Sequence, residues 1–220
     1  MLEVRMRTVG LFDENSFIIG CGNSGSGVLI DPGGEGTALL ELAAEAGLEI
    51  EAIWLTHAHI DHVAGVAEAV ELTGAPVVVH IEDRFLYEAA SVQGQHFGVE
   101  IEPPPEPQRW LEGGEILTLG ELRIEVLHVP GHSPGHVAYW EPESRAVFSG
   151  DCIFAGSIGR SDLPGGSHET LMASIENVIF PLGDDVRIYS GHGPATTVQT
   201  ERLTNPFFGG GGAYDPFSTR

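Results

Sequence analysis

Lysine is missing from these 220 residues. All ten basic side chains are arginines, set against 32 acidic ones, and the formal net charge is −22. Without lysine there is no Schiff-base chemistry and no P-loop of the usual kind, which needs a lysine on the phosphates. So little positive charge also argues against nucleic acid as a partner, because the phosphate backbone would be repelled. Cysteine is scarce too: Cys21 and Cys152 cannot make a disulfide framework. A chain this long buries roughly 70% of its unfolded surface without one. No run is long and apolar enough to span a membrane. The start of the chain, Met1-Leu2-Glu3-Val4-Arg5, lacks the basic-then-apolar layout of a secretory signal. A cytoplasmic protein with no membrane partner is the expectation.

Histidine, by contrast, is concentrated. Thr56-His57-Ala58-His59-Ile60-Asp61-His62 follows the apolar run Ala52-Ile53-Trp54-Leu55. In extended backbone, side chains two apart point the same way, so His57 and His59 can face one point. A helix beginning near Asp61 would offer Asp61 and His62 from its first turn. A lone histidine is ordinarily a surface or core residue, but imidazole and carboxylate packed this densely are the ligands that zinc, iron and manganese accept. Further donors sit in similar settings. His132 lies in Pro130-Gly131-His132-Ser133-Pro134-Gly135-His136, Asp151 in Ser149-Gly150-Asp151, and His192 in Ser190-Gly191-His192-Gly193-Pro194. Each follows a strand-like run and lies in a Gly- or Pro-rich turn, where distant parts of a chain converge on ligands. Glycine beside a ligand permits tight bends and close approach. His136 is a candidate orienting partner of these donors. His80, His96, His128 and His168 have no donor cluster around them in sequence. Cys152 is expected to point away from Asp151 and pack as a small hydrophobe.

The wider pattern alternates strands and helices. Strands are expected at residues 4–9, 16–21, 27–30, 52–55, 77–80, 115–119, 122–128, 137–141, 146–149 and 186–189. Helices are expected at 37–46, 62–73, 82–91, 169–180 and 196–203. Residues 93–110, with Pro103-Pro104-Pro105-Glu106-Pro107, read as a loop. Mixed strands with covering helices imply a layered α/β fold. One domain over residues 1–205 is expected, with a Gly-rich tail at 206–220, flexible by composition.

The motifs resemble those of the metallo-β-lactamase superfamily. His57-x-His59-x-Asp61-His62, followed in order by His132, Asp151 and His192, is similar to that family's seven metal ligands, across nearly the whole chain. Gly131-His132-Ser133-Pro134-Gly135-His136, Gly150-Asp151-Cys152-Ile153-Phe154, Gly156-Ser157-Ile158-Gly159-Arg160-Ser161-Asp162 and Ser190-Gly191-His192-Gly193-Pro194 resemble the hydroxyacylglutathione hydrolase (glyoxalase II) branch in its short form. The resemblance implies a four-layer αβ/βα sandwich: two mixed β-sheets flanked by helices, with metals at the edge where their loops meet. It also implies that His57, His59 and His132 hold one metal, that Asp61, His62 and His192 hold a second, and that Asp151 bridges them.

Two divalent ions are therefore expected, zinc first, with iron and manganese as alternatives. The implied activity is metal-dependent hydrolysis of an acyl thioester or ester, such as a hydroxyacylglutathione, by a metal-bridging hydroxide, with Asp61 in a catalytic role. The chain departs from longer family members in lacking their C-terminal helical domain, whose basic residues grip glutathione. Their Lys and Tyr in the loop after the bridging aspartate correspond here to Arg160 and Asp162. Arg160 is the candidate substrate-binding residue, since its planar fork suits a carboxylate. Two rivals remain in sequence: a mononuclear iron persulfide dioxygenase, using His57, His132 and Asp151, and a non-catalytic metal-binding protein. Phosphodiester hydrolysis is disfavoured by the charge.

Overall fold

The computed structural model describes residues 1–209. Its first sheet runs in chain order: β1 (Leu2–Val9), β2 (Glu14–Cys21), β3 (Ser26–Ile30), β4 (Glu49–Trp54), β5 (Val77–His80) and β6 (Arg109–Leu111). β1 to β3 are antiparallel, and β3 to β6 are parallel. The remaining strands are β7 (Ile116–Leu119), β8 (Leu122–His128), β9 (Val137–Glu141), β10 (Ala146–Gly150), the small hairpin β11 (Ile153–Phe154) and β12 (Ser157–Ile158), β13 (Arg187–Ser190) and β14 (Thr196–Thr197). The second sheet has the order β14-β13-β10-β9-β8-β7, with β10 and β13 its parallel pair.

Side chains alternate across each strand, and this divides the interior into three cores. Phe17 and Ile19 of β2, Val28 and Ile30 of β3, and Trp54 of β4 face Ile124 and Val126 of β8, Tyr139 of β9 and Phe148 of β10. Their neighbours Ile18, Leu29 and Ile53 point to the opposite face of the first sheet, under α1 (Gly36–Glu45) and α3 (Val66–Thr73). On the far face of the second sheet, Ala138, Trp140, Val147 and Ile188 pack with Leu171, Ile175, Ile179 and Val198. Three cores between helix, sheet, sheet and helix make the αβ/βα sandwich.

Several local expectations need correction. Spacing predicts one helix over 62–73, but α2 (Ile60–Val63) and α3 are separate. The break has a steric cause. Gly65 N–H donates to Pro32 O at 2.8 Å, and a Cβ on Gly65 would lie 2.6 Å from that oxygen and 2.7 Å from Gly34 N. The loop after β3 thus passes against Gly65, and Asp61 and His62 stand on their own short turn. The helix expected at 82–91 begins as a 3-10 turn (Ile81–Asp83), then becomes α4 (Arg84–Glu88) and α5 (Ala90–His96), reaching into the expected loop. That loop also contains β6, too short to show a pattern, which pairs with β5 through Val78 and Arg109.

The helix expected at 169–180 is α6 (His168–Ser174), continued by a π-helical turn (Ile175–Ile179) and a 3-10 turn (Phe180–Leu182) containing Pro181, which lacks the N–H to continue a helix. β14 forms the start of the stretch expected as a last helix, leaving α7 (Val198–Thr204). Of the expected tail, Phe207 and Phe208 are partly buried against the third core. The remainder, from residue 210, lies outside the described residues.

Substituting Gly65→Ala should drive Cβ into backbone that cannot move aside cheaply. The expected cost is about 1–3 kcal/mol, read as a lower urea midpoint with an unchanged slope. A variant as stable as the parent would disprove the close approach.

Candidate metal centre

The expected donors are delivered by four loops, each following the C-terminal end of a strand. β4 leads to His57 and His59 and then to α2 with Asp61 and His62. β8 leads to His132, β10 to Asp151 and β13 to His192. β4 belongs to the first sheet and the others to the second, so the donors meet where the two sheets share an edge. The seam is closed by β2: Asn15 N–H donates to Gly191 O at 2.7 Å, and its side-chain amide donates to Ser190 O and Gly193 O at 3.1 and 2.8 Å.

All seven expected ligands come together, in two groups. His132 Nε2 lies 3.1 Å from His57 Nε2 and 2.8 Å from His59 Nδ1. Tetrahedral coordination with bonds of ~2.0 Å puts neighbouring nitrogens about 3.3 Å apart, so this spacing is close to that of a ligand trio. In the second group, His192 Nε2 lies 3.1 Å from Asp61 Oδ2, and His62 Nε2 lies 3.8 Å from the same oxygen. Asp151 reaches both groups, with Oδ1 3.4 Å from His62 Nε2 and Oδ2 3.6 Å from His132 Nε2. His62 Nε2 and Asp151 Oδ1 are buried without a hydrogen-bond partner. Orphaned groups of this kind cost on the order of 1–3 kcal/mol each, and a cation between them removes that cost. The residues present therefore fit two divalent ions. Close approach is enforced by Gly191, where a Cβ would collide with Asp151 Oδ1 and lie 2.8 Å from His62 Cε1.

Hydrogen bonds on the far side fix which ring nitrogen faces inward. His62 Nδ1 donates to Asp31 Oδ2 at 3.0 Å, His132 Nδ1 to Arg160 O at 2.7 Å and His192 Nδ1 to Asp13 O at 3.1 Å. Thr56 Oγ1 donates to Asp31 Oδ2 at 2.6 Å and so accepts from His57 Nδ1 at 3.1 Å. Each proton placed on the outer nitrogen leaves an inward lone pair for a ligand role. Burial holds His57 well below the ordinary imidazole range, His132 below it and His59 at about 3, so this trio is neutral. At His62 burial acts the same way, but the charges of Asp61, Asp151 and Asp31 outweigh it and raise the pKa.

Several supporting residues carry no local signal in the sequence. Buried Asp83 accepts from Ala58 N at 2.9 Å, Ser133 Oγ at 2.7 Å and Gly135 N at 2.6 Å. One carboxylate thereby ties the His57–His59 loop to the His132 loop. Asp31, which reads as part of an Asp-Pro-Gly-Gly turn, stands behind His62 and Thr56. His136 is indeed an orienting partner: its Nε2 accepts from Asp151 N at 3.0 Å, and its ring stacks on that of His57 at 4.7 Å. Cys152 is fully buried in the third core, away from the donors.

His80 and His128, expected from the sequence to lie outside any donor cluster, do gather with Glu82. Their rings stack nearly parallel, 4.3 Å apart. An ion midway between them would sit outside both ring planes, where imidazole has no lone pair, so this cluster is a packing arrangement.

A cavity of about 740 Å³ opens over the donors, with His59, Asp61, His132, Asp151 and His192 in its lining. Arg160 is on its wall, but its guanidinium is engaged by both oxygens of Asp162, at 2.7 and 2.8 Å.

A four-layer sandwich whose seam carries a histidine–aspartate site for two metals defines a narrow class. The metallo-beta-lactamase superfamily model matches residues 9–192, and the chain belongs to that superfamily. It is 38% identical over 208 residues to the hydroxyacylglutathione hydrolase GloC of Haemophilus influenzae, covering 94% of this chain and 98% of that protein. Among solved structures it is similar to TTHA1623 in a di-iron-bound form, at 46% identity and a TM-score of 0.85, covering 93% of this chain and 100% of that one. It is also similar to the B3 metallo-beta-lactamase BLEG-1, at 36% identity and a TM-score of 0.87, covering 93% and 99% respectively.

Two substitutions test the scaffold behind the donors. Asp31→Ala removes the acceptor behind His62 and the anchor of Thr56, and should weaken metal binding 10- to 100-fold in competition with a chromogenic chelator. Unchanged affinity would refute the orienting role. Asp83→Ala strands three buried donors and should cost about 3 kcal/mol or more in chemical denaturation; a loss below 1 kcal/mol would show that the two loops hold together without it.

Proposed function

We propose that this chain is a metal-dependent hydrolase of acyl thioesters or esters. The observation that carries the reading is a pair of donor groups sharing Asp151 at the floor of an open cavity. His57, His59 and His132 would hold one ion and Asp61, His62 and His192 the other, with Asp151 between them. When bound, two such ions acidify water and polarise a carbonyl. The donor set accepts zinc, iron or manganese, and the di-iron form of TTHA1623 brings iron level with zinc.

The chain's own residues have distinct tasks in this reading. Asp61, with its side chain 17% exposed at the cavity floor, would orient the attacking water and accept its proton. His192 Nε2, 3.1 Å from Asp61 Oδ2, would share the second ion with that carboxylate and so fix its position. A protein thiol nucleophile is not needed: burial raises the Cys152 thiol far above its ordinary range, and its side chain faces the core.

The thioester class is supported by GloC, whose name gives hydroxyacylglutathione as its substrate. The second donor group, set in place by Asp31 and the Asp13 carbonyl, favours two ions over the single iron of a persulfide dioxygenase. The open cavity above the donors favours catalysis over passive metal storage.

Asp151→Ala should lower bound metal from two ions per chain to one or none and reduce kcat/KM at least 1,000-fold, about 4 kcal/mol of transition-state stabilisation. Elemental analysis and a thioester assay on the same preparation decide it; a metal-replete, active variant overturns the assignment.

A further inference from the structure

The walls of the cavity are unlike its floor. Phe12 comes from the turn between β1 and β2, Val92 and Phe97 from α5 and its end, Phe154 from β11, and Leu163 and Pro164 from the loop after β12. Phe12 and Phe97 meet edge to face with centroids 5.3 Å apart, joining two separate segments into one rim. Val92 and Phe97 are nonetheless 63% and 54% exposed. A concavity with apolar walls and a few convergent polar groups is the usual form of a small-molecule site.

Besides the donors, three polar side chains line the cavity among the described residues: Gln93, His96 and Arg160. Gln93 is committed, its amide donating to Ala58 O at 3.1 Å and Leu86 O at 2.8 Å. Arg160 is paired with Asp162, whose carboxylate offsets its charge. No arginine among the described residues on these walls offers an unopposed charge to a carboxylate. Glutathione carries carboxylates at both ends, and the chain as a whole has a formal charge of −22.

We propose that this cavity is an acyl-chain site, and that the preferred substrate is a thioester or ester of a medium-length hydrocarbon acid with a small uncharged leaving group. The inference rests on the hydrolase reading for its chemistry. Water adds its oxygen to the acyl carbon, the acyl C–S or C–O bond breaks, and the thiol or alcohol leaves with a proton. Selectivity comes from burying methylenes against Val92, Phe97 and Leu163, at about fourfold in kcat/KM per methylene until the cavity is filled.

The test uses the metal-loaded full chain with N-acetylcysteamine thioesters from acetyl to octanoyl, and with S-lactoylglutathione. Expected is a kcat/KM at least 100-fold higher for octanoyl than for acetyl, and higher than for S-lactoylglutathione. Val92→Asp, at an exposed position, and Phe97→Ala, which also removes the ring contact with Phe12, should each lower the octanoyl-to-acetyl ratio about tenfold. A flat chain-length profile, or S-lactoylglutathione turned over as well as the octanoyl ester, overturns the acyl site and leaves the hydrolase reading intact. Should no substrate turn over with two ions bound, the hydrolase reading fails instead, and binding decides the site. Calorimetry with the thioethers S-octyl-N-acetylcysteamine and S-(2-hydroxypropyl)glutathione then supports the proposal if the octyl compound binds at least tenfold more tightly and loses that margin in Val92→Asp. Equal affinities overturn it.

Discussion

Asp31 accepts three hydrogen bonds, from Thr56 N at 2.7 Å, Thr56 Oγ1 at 2.6 Å and His62 Nδ1 at 3.0 Å, and the two donor groups both depend on them. His62 is oriented directly. His57 is oriented through Thr56, whose hydroxyl has a single proton; once that proton is given to Asp31, the oxygen can only accept from His57 Nδ1. One carboxylate behind the site thus selects the inward-facing nitrogen of a histidine in each group. Its own backbone is held at φ 50°, in the left-handed region, a conformation that costs on the order of 1–3 kcal/mol for a non-glycine residue. Asp tolerates it better than most, and the hydrogen bonds made from that position offset the cost.

The same logic extends outward. A metal site on loops is only as well defined as the loops, and here each is tied by buried polar contacts. Asp83 joins the loops after β4 and β8. Asn15 and the Asp13 carbonyl hold the loop after β13 to the start of β2. His136 holds the backbone of Asp151. The contacts of Asp83, Asn15 and the Asp13 carbonyl run between the two sheets, so docking one sheet on the other also assembles the donors. The apolar core between the sheets, with Phe17, Trp54, Tyr139 and Phe148, supplies the driving force for docking. The polar contacts at its edge supply register. A shift of one sheet by even an ångström would separate His57 from His132, which belong to different sheets and stand 3.1 Å apart.

The donors were legible in the sequence because chemistry singles them out: histidines and aspartates beside glycine and proline, each directly after an apolar run. The scaffold behind them was not. Asp83 contacts Ser133 and Gly135, about 50 residues away in the chain, and nothing in Ile81-Glu82-Asp83-Arg84 distinguishes it from a surface acid. Asp31 shares the setting of the donors, after a strand and before Pro-Gly-Gly, yet that setting is also an ordinary turn. The layers were only partly readable, for a related reason. β8 alternates visibly, with Leu122, Ile124 and Val126 inward and Arg123 and Glu125 exposed. β2, β9 and β10 are buried on both faces, so their sequences show no period from which to assign a face. The break between α2 and α3 depends on a chain passing Gly65 from thirty residues earlier, which helical spacing does not register.

Charge explains how a strongly acidic chain and an electrophilic site can coexist. At least half of the ten arginines are spent on single carboxylates: Arg7 on Glu35, Arg84 on Glu88, Arg145 on Asp185, Arg160 on Asp162 and Arg202 on Asp184. Pairs this exposed contribute little to stability, but they leave few cations to build a positive field at any distance. Two divalent ions held by two aspartates and neutral histidines would be net positive, and that charge would be confined to the cavity floor. A substrate would then meet attraction only where its carbonyl must sit. Elsewhere the cavity offers apolar surface, and the protein beyond it offers negative charge. Such a division admits a polarisable carbonyl on an uncharged body, and it penalises anionic groups in proportion to their distance from the ions.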